Sequence, residues 1–267
     1  MKFTEYTPSA SQRTLVYGAP KTGKTQLVGE LARTHKLLWF DLEKGVNTLL
    51  KLPKEVQSNI ELIQIADSRT NPIAVETILR ASTGNRLKIC NEHGRAGCVI
   101  CTKADPVKSF TEVCLNELTQ DWVVVIDSAT QLSSSVMNKI CQGQSDDYQP
   151  TFHDYRYQGA VLDRIFSQMQ NANYHLVVIS HEIMVPLQDG TEKIVPVSGT
   201  SNFSKTFAKY FDHVIYCEVK MKQHKQGSST VYAMNVLTGS RTDVVIEKDG
   251  IKALQAIYSP RAEGGGK

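Results

Sequence analysis

The eight residues Gly18-Ala19-Pro20-Lys21-Thr22-Gly23-Lys24-Thr25 constrain this chain more than any other stretch. They satisfy the phosphate-loop pattern G-x-x-x-x-G-K-[ST] at every fixed position. The flanks agree, because Arg13–Tyr17 reads as a short strand entering the loop and Gln26–Arg33 as the helix leaving it. Backbone N–H groups of such a loop curl around a β-phosphate, and the helix N-terminus supports the charge from below. Lys24 is placed to reach the β- and γ-phosphates, and the Thr25 hydroxyl to join a magnesium ion. Ala19, Pro20, Thr22 and Gln26 complete the expected contact set. Lys21 stays open between phosphate, a neighbouring subunit and solvent.

A loop of this kind needs a sheet behind it, and the chain supplies apolar runs ending in acids. Leu37–Phe40 runs into Asp41-Leu42-Glu43, and Trp122–Ile126 runs into Asp127. Ligands sit at the carboxyl ends of strands in open α/β sheets. Asp127 is therefore the candidate second magnesium ligand, and Glu43 the candidate base for the attacking water, with Asp41 as its rival. Ser128 and Thr130 suit helix caps or nearby hydrogen bonds. A further buried run, Leu176–Ile179, ends near His181, which is a candidate γ-phosphate sensor or a structural histidine.

Between these strands lies Cys90-x₂-His93-x₄-Cys98-x₂-Cys101. Two close ligand pairs of this type fold around one tetrahedral zinc ion, filling all four positions, so the expected site is structural. Cys114 is a spare thiol assigned to the core. Glu61–Ile65 reads as a strand, the segment from Ile73 to Gly84 as a helix, and Val107–Gln120 as another. Gln142–Tyr155 reads as a polar surface loop whose Asp146, Asp147, His153 and Asp154 stay hydrated, and Gln158–Gln170 as a helix. Met184–Pro196 has the form of a hairpin turning at Asp189-Gly190. His213–Lys222 and Ser229–Val236 read as strands extending the sheet in antiparallel fashion, and Val244–Ile251 as one more hairpin.

Taken together, the phosphate loop, Glu43, Asp127 and His181 resemble the RecA-type ATPase core, and more narrowly the phage-encoded RecA-like proteins of single-strand annealing and recombination. The resemblance runs from about Arg13 to about Val245. It implies an α/β fold: a RecA-like P-loop core with a mostly parallel central sheet, C-terminal antiparallel hairpins and a small zinc-knuckle insertion. It also implies a magnesium-dependent ATPase, stimulated by DNA, that forms rings or filaments on single-stranded DNA beside a single-strand-binding protein. Phe203, Lys205 and Lys209 become DNA-contact candidates, and Lys220, Lys222 and Arg241 trans-acting ones; Arg241 is also a candidate nucleotide ligand. The alternatives are the motor of a replicative helicase and a regulatory ATPase or scaffold that binds no DNA. The expected organisation is one ATPase domain over 1–258, the knuckle at 88–106 within it, and a loose tail at 259–267.

Composition adds exclusions. The chain has 267 residues, 41% hydrophobic and 21% charged, with a net charge of only +3. These values suit a globular protein without a membrane span or secretion signal, and cytoplasmic (host cytoplasm if phage-encoded) is the expected location. Six cysteines then read as thiols or metal ligands rather than disulfides.

Overall fold

The computed structural model describes residues 11–104, 110–187, 190–224, 227–236 and 250–258. Arg241, the Val244–Ile251 hairpin up to residue 249, Asp189 of the expected turn, the start of the expected Val107–Gln120 helix and the 259–267 tail lie outside them.

The elements follow in the order β1 (Arg13–Gly18), α1 (Lys24–Gly29), β2 (Lys36–Asp41), α2 (Lys54–Gln57), β3 (Ile60–Gln64), α3 (Ile73–Ser82) and β4 (Leu87–Cys90). Then come α4 (Val99–Ala104), β5 (Phe110–Val113), β6 (Trp122–Asp127), α5 (Ala129–Ile140), α6 (Phe152–Met169) and β7 (His175–Ser180). The chain continues through β8 (Glu182–Pro186), β9 (Glu192–Pro196), α7 (Ser201–Thr206), β10 (His213–His224), β11 (Gly227–Val236) and α8 (Gly250–Tyr258). Seven strands form the main sheet in the order β11-β10-β1-β7-β6-β2-β3. All neighbours pair in parallel except β10 with β11.

Both faces of this sheet are covered, which explains why its central strands are apolar without alternation. Leu15, Leu38, Phe40, Val124, Ile126, Leu176 and Val178 point into one core, shared with Ile78, Leu132, Leu162 and Phe166 from α3, α5 and α6. Val16, Leu37, Trp39, Val123, Val125, Val177 and Ile179 point into the other, closed by Val28, Leu31, Leu49, Leu254 and Ile257. The period of two along each strand sorts its side chains between the two layers.

Four expectations are corrected here. The Val107–Gln120 stretch is not helical: β5 pairs antiparallel with β4, and a 3-10 turn at Leu115–Glu117 follows. Burial of Val113 and Leu115 in the core, with Phe110 against the cysteines, overrides local helix preference. Cys114 is consequently extended, its thiol donating to the Gly84 carbonyl at 3.4 Å. α6 begins within the expected loop, at Phe152, because Thr151 and Asp154 form a reciprocal capping box. β10 joins β1 in parallel and only its outer neighbour β11 antiparallel, since β10 follows a crossover through α7 rather than a tight turn. The Met184–Pro196 hairpin is present as β8 and β9.

Candidate functional site

The sheet order places β7 between the phosphate-loop strand β1 and the acid-bearing strand β6. The ends of β1, β7, β6 and β2 therefore open along one edge, and the candidate residues gather there. Gly18 has no room for a side chain: a Cβ would stand 2.1 Å from the Cys217 carbonyl oxygen on β10. Gly23 takes φ 85° at the helix start, and Lys21 takes φ 65° while pointing to solvent. Thr22 closes the turn by donating to the Ala19 carbonyl at 2.9 Å, Pro20 is exposed, and Gln26 is half-buried on α1.

Lys24 folds back into its own loop. Its Nζ donates to the carbonyls of Gly18 at 2.9 Å and Ala19 at 2.8 Å. Burial lowers its pKa, against the opposing pull of Cys217, Asp127 and Glu43. Thr25 Oγ1 donates to Asp127 Oδ2 at 3.1 Å. Two neighbouring ligands of an octahedral magnesium ion at ~2.1 Å stand about 3 Å apart, so this pair fits the ion. Asp127 is buried, and desolvation together with the Glu43 charge pushes its carboxyl up to about 7.

Asp41 and Glu43 separate into two roles. Asp41 is fully buried and accepts from the backbone N–H groups of Glu43 and Gly45 and from Gln64. It shapes the turn. Glu43 points into the cleft, where Ser128 Oγ donates to Oε1 and His181 Nε2 lies 3.1 Å from Oε2. Burial raises the Glu43 carboxyl, but hydrogen bonds from His181 and Ser128 and the charges of His181 and Lys24 outweigh it and leave the pKa lowered.

His181 is also tied to the hairpin beyond it. Its backbone N–H donates to Thr130 Oγ1 at 3.0 Å, and its carbonyl accepts from the Val197 N–H at 2.8 Å. Ser180 Oγ bonds the Val197 carbonyl at 2.8 Å. The sequence did not reveal that Ser128 and Thr130 serve Glu43 and His181. Their position just after an acid-ending strand was the available signal. Beside them, Tyr216 donates to Glu182 while its ring lies 5.2 Å from that of Tyr17.

The residues proposed for other surfaces lie elsewhere. Phe203 packs with Phe207 and Tyr210 against the core. Lys205 donates to the Pro186 carbonyl, and Lys209 pairs with Asp163 at 3.1 Å. Lys220 and Lys222 fall on β10, opposite Val231 and Ser229 of β11.

A second cluster sits at the β3 side of the sheet, where the His93 carbonyl accepts from the Ala66 N–H at 3.0 Å. The ligand atoms of Cys90, His93, Cys98 and Cys101 all lie within 4.8 Å of one another, with the three sulfurs 3.3–3.8 Å from His93 Nδ1. A tetrahedral zinc ion with bonds of about 2.0–2.3 Å needs donor separations in this range. The donor chemistry and spacing form a metal-binding cluster of zinc-knuckle type. The knuckle is anchored by Thr77 Oγ1 donating to the Gly94 carbonyl at 2.8 Å and Arg80 donating to the Ala96 carbonyl at 3.0 Å. Gly94 takes φ 67°, and a Cβ there would meet the Gln64 carbonyl oxygen at 2.4 Å. Among the described residues no other His, Cys, Asp and Glu grouping converges in this way, and Asp154 is engaged by Tyr148 and Thr151. No helix of the described residues is long and apolar enough to cross a membrane.

The family described as AAA domain matches residues 10–243. No curated protein matches the chain. A solved structure, of "a prototypical ATPase from the type III secretion system of pathogenic bacteria", is similar at 13% identity and a TM-score of 0.43. The alignment covers 78% of this chain and 51% of that one, so the chain spans about half of its length, a likeness too distant to carry an inference. The family match is to an AAA domain, not to a recombinase. It overturns the expected single-stranded DNA annealing and recombination function.

Proposed function

The chain belongs to the AAA domain family, and on that premise we propose that it is an oligomeric motor or regulatory ATPase whose nucleotide state is read out by the β8–β9 hairpin. ATP binding and hydrolysis follow from the P-loop core; the assignments below go further. Lys24 releases the Gly18 and Ala19 carbonyls and swings to the β- and γ-phosphates. Thr25 and Asp127 hold magnesium, which when bound neutralises phosphate charge. Glu43 orients the attacking water and takes its proton, kept ionised by Ser128 and His181.

One observation carries this reading: His181 contacts Glu43 with its side chain and the hairpin with its backbone. A γ-phosphate competes for the same imidazole, so arrival or loss of that phosphate alters the anchoring of Val197. The hairpin exposes Ile183, Met184 and Ile194, giving it an apolar surface on which a neighbouring subunit or a protein partner can act. We assign zinc to the knuckle as a structural ion, and treat residues 1–258 as one functional unit containing it.

The test compares hydrogen exchange of residues 182–197 with a non-hydrolysable ATP analogue and with ADP, alongside oligomer size. Protection should differ between the two nucleotides, and His181→Ala should erase the difference while retaining ATP binding. A nucleotide-independent hairpin, or a full difference in H181A, overturns the proposed readout.

A further inference from the structure

A cavity of about 420 Å³ lies behind the knuckle, between α3, the start of β4 and α6. Leu79 and Leu87 give it apolar walls, and Arg80, Arg86 and Arg164 reach it with Thr83 at the side. Bringing three guanidinium groups to one concavity is unfavourable unless negative charge answers them. Arg86 is answered by Glu112 at 3.1 Å and by Glu117. Arg80 uses one nitrogen on the Ala96 carbonyl and makes no ion pair among the described residues. Arg164 is exposed on α6 and likewise lacks an acidic partner there.

The bond to the Ala96 carbonyl holds the remaining N–H groups of Arg80 in place, so on that side little ordering is needed when an anion arrives. The cavity volume falls in the range of small-molecule sites, whose walls are mostly apolar with a few fixed polar groups. An inorganic ion would leave the leucine walls unused. A neutral apolar molecule would leave the guanidinium charge unanswered. We propose that this pocket binds a small organic anion, a phosphate or carboxylate carried on an apolar body, with Arg164 and Arg80 gripping the charged head and Leu79 and Leu87 the body.

Ligand-observed NMR on the full chain, with the phosphate loop saturated by magnesium and an ATP analogue, tests this. The probes are phenyl phosphate, benzoate, inorganic phosphate and benzyl alcohol. One or both organic anions should bind saturably, with phosphate and benzyl alcohol about tenfold or more weaker. Arg164→Glu should abolish binding. That side chain is exposed and holds no ion pair, so the variant should melt like the wild type. Arg156→Glu, an exposed change outside the cavity, should leave binding unchanged. Absence of saturable binding by both organic anions overturns the proposal, as does full binding by R164E. Equal binding of inorganic phosphate or of benzyl alcohol overturns it too, reducing the pocket to a bare anion site or an apolar crevice. None of these outcomes depends on ATP hydrolysis.

Discussion

The nucleotide edge and the cysteine knuckle are both small polar clusters on one sheet, yet they are built by opposite means. The nucleotide edge draws Lys24, Glu43, Asp127 and His181 from four strand ends spread across more than half the chain. What brings them together is apolar burial: the strands beneath are almost fully covered on both faces. The knuckle takes its four ligands from twelve consecutive residues, and among the described residues only Cys90, Cys98, Cys101 and Phe110 form its own small cluster. Four strand spacings of about 4.8 Å, roughly 19 Å, separate the P-loop strand from the β3 edge where the knuckle docks. The lesson is that a scaffolded site can hold poorly matched charges, whereas a local site must obtain its stability from the ligand itself.

The sharpest way to separate the two is Glu43→Gln. ATP turnover should fall about 10²–10⁴-fold with nucleotide binding retained, as expected for loss of a general base. Zinc content, measured by elemental analysis, should stay at one per chain. Turnover equal to the wild type would move the base elsewhere. Lys24→Ala should go further and remove nucleotide binding, again without disturbing the metal.

The reverse experiment is Cys98→Ser. Zinc affinity should drop by more than the roughly 10–100-fold typical of losing an outer-shell partner, and amide protection across 88–104 should collapse. ATP binding should change little. If nucleotide affinity fell in parallel with zinc, the two regions would be one cooperative unit and the contrast drawn above would fail.

Proton linkage gives a subtler test. The folded Asp127 titrates at about 7, well above its ordinary value of 3.8. Between those values the folded chain holds a proton that the unfolded chain has released. Stability of the nucleotide-free protein should therefore fall as pH rises through this window, and Asp127→Asn should remove that slope. His175, pulled down to about 4 by burial, contributes a slope of the opposite sign below its ordinary 6.5. The difference between D127N and wild type isolates Asp127. Magnesium uptake at pH 6 should release a proton, measured by calorimetry in two buffers, and no release would contradict the raised pKa.

The smallest expected effect concerns the joint between the regions. Thr77→Val removes the donor to the Gly94 carbonyl and should destabilise by about 1–3 kcal/mol. Chemical denaturation of the zinc-loaded protein checks it, and an unchanged midpoint would show the knuckle holding without this anchor.

Much of this was legible in advance because it depends on local patterns. The phosphate loop has fixed spacing, acids end two apolar runs, and the knuckle ligands are close in sequence. Other features were not. Glu43 and Asp41 are two residues apart, and nothing in their neighbourhood says which enters the cleft. Register decides it: Asp41 pairs opposite Asp127 and turns into the buried bend, which leaves Glu43 to meet Ser128 and His181. The stretch after the cysteines reads as helix because its spacing permits one, but β4 requires a partner strand and the core accepts Val113 and Leu115. The recombination reading came from motifs that P-loop ATPases of many functions share, so the motifs alone could not select among them.

The sequence by itself thus determined the phosphate loop, the core strands that end in acids, and the metal-ligand set, because each rests on residues within a turn or two of one another. Tertiary structure alone decided which acid meets His181, which serine and threonine join that pair, how His181 reaches the hairpin, and which arginines converge behind the knuckle. Glu43 meets Ser128 across 85 positions and His181 across 138, and Thr130 meets His181 across 51. Their geometry follows from strand order and register, which are set by burying two apolar layers at once rather than by any local preference.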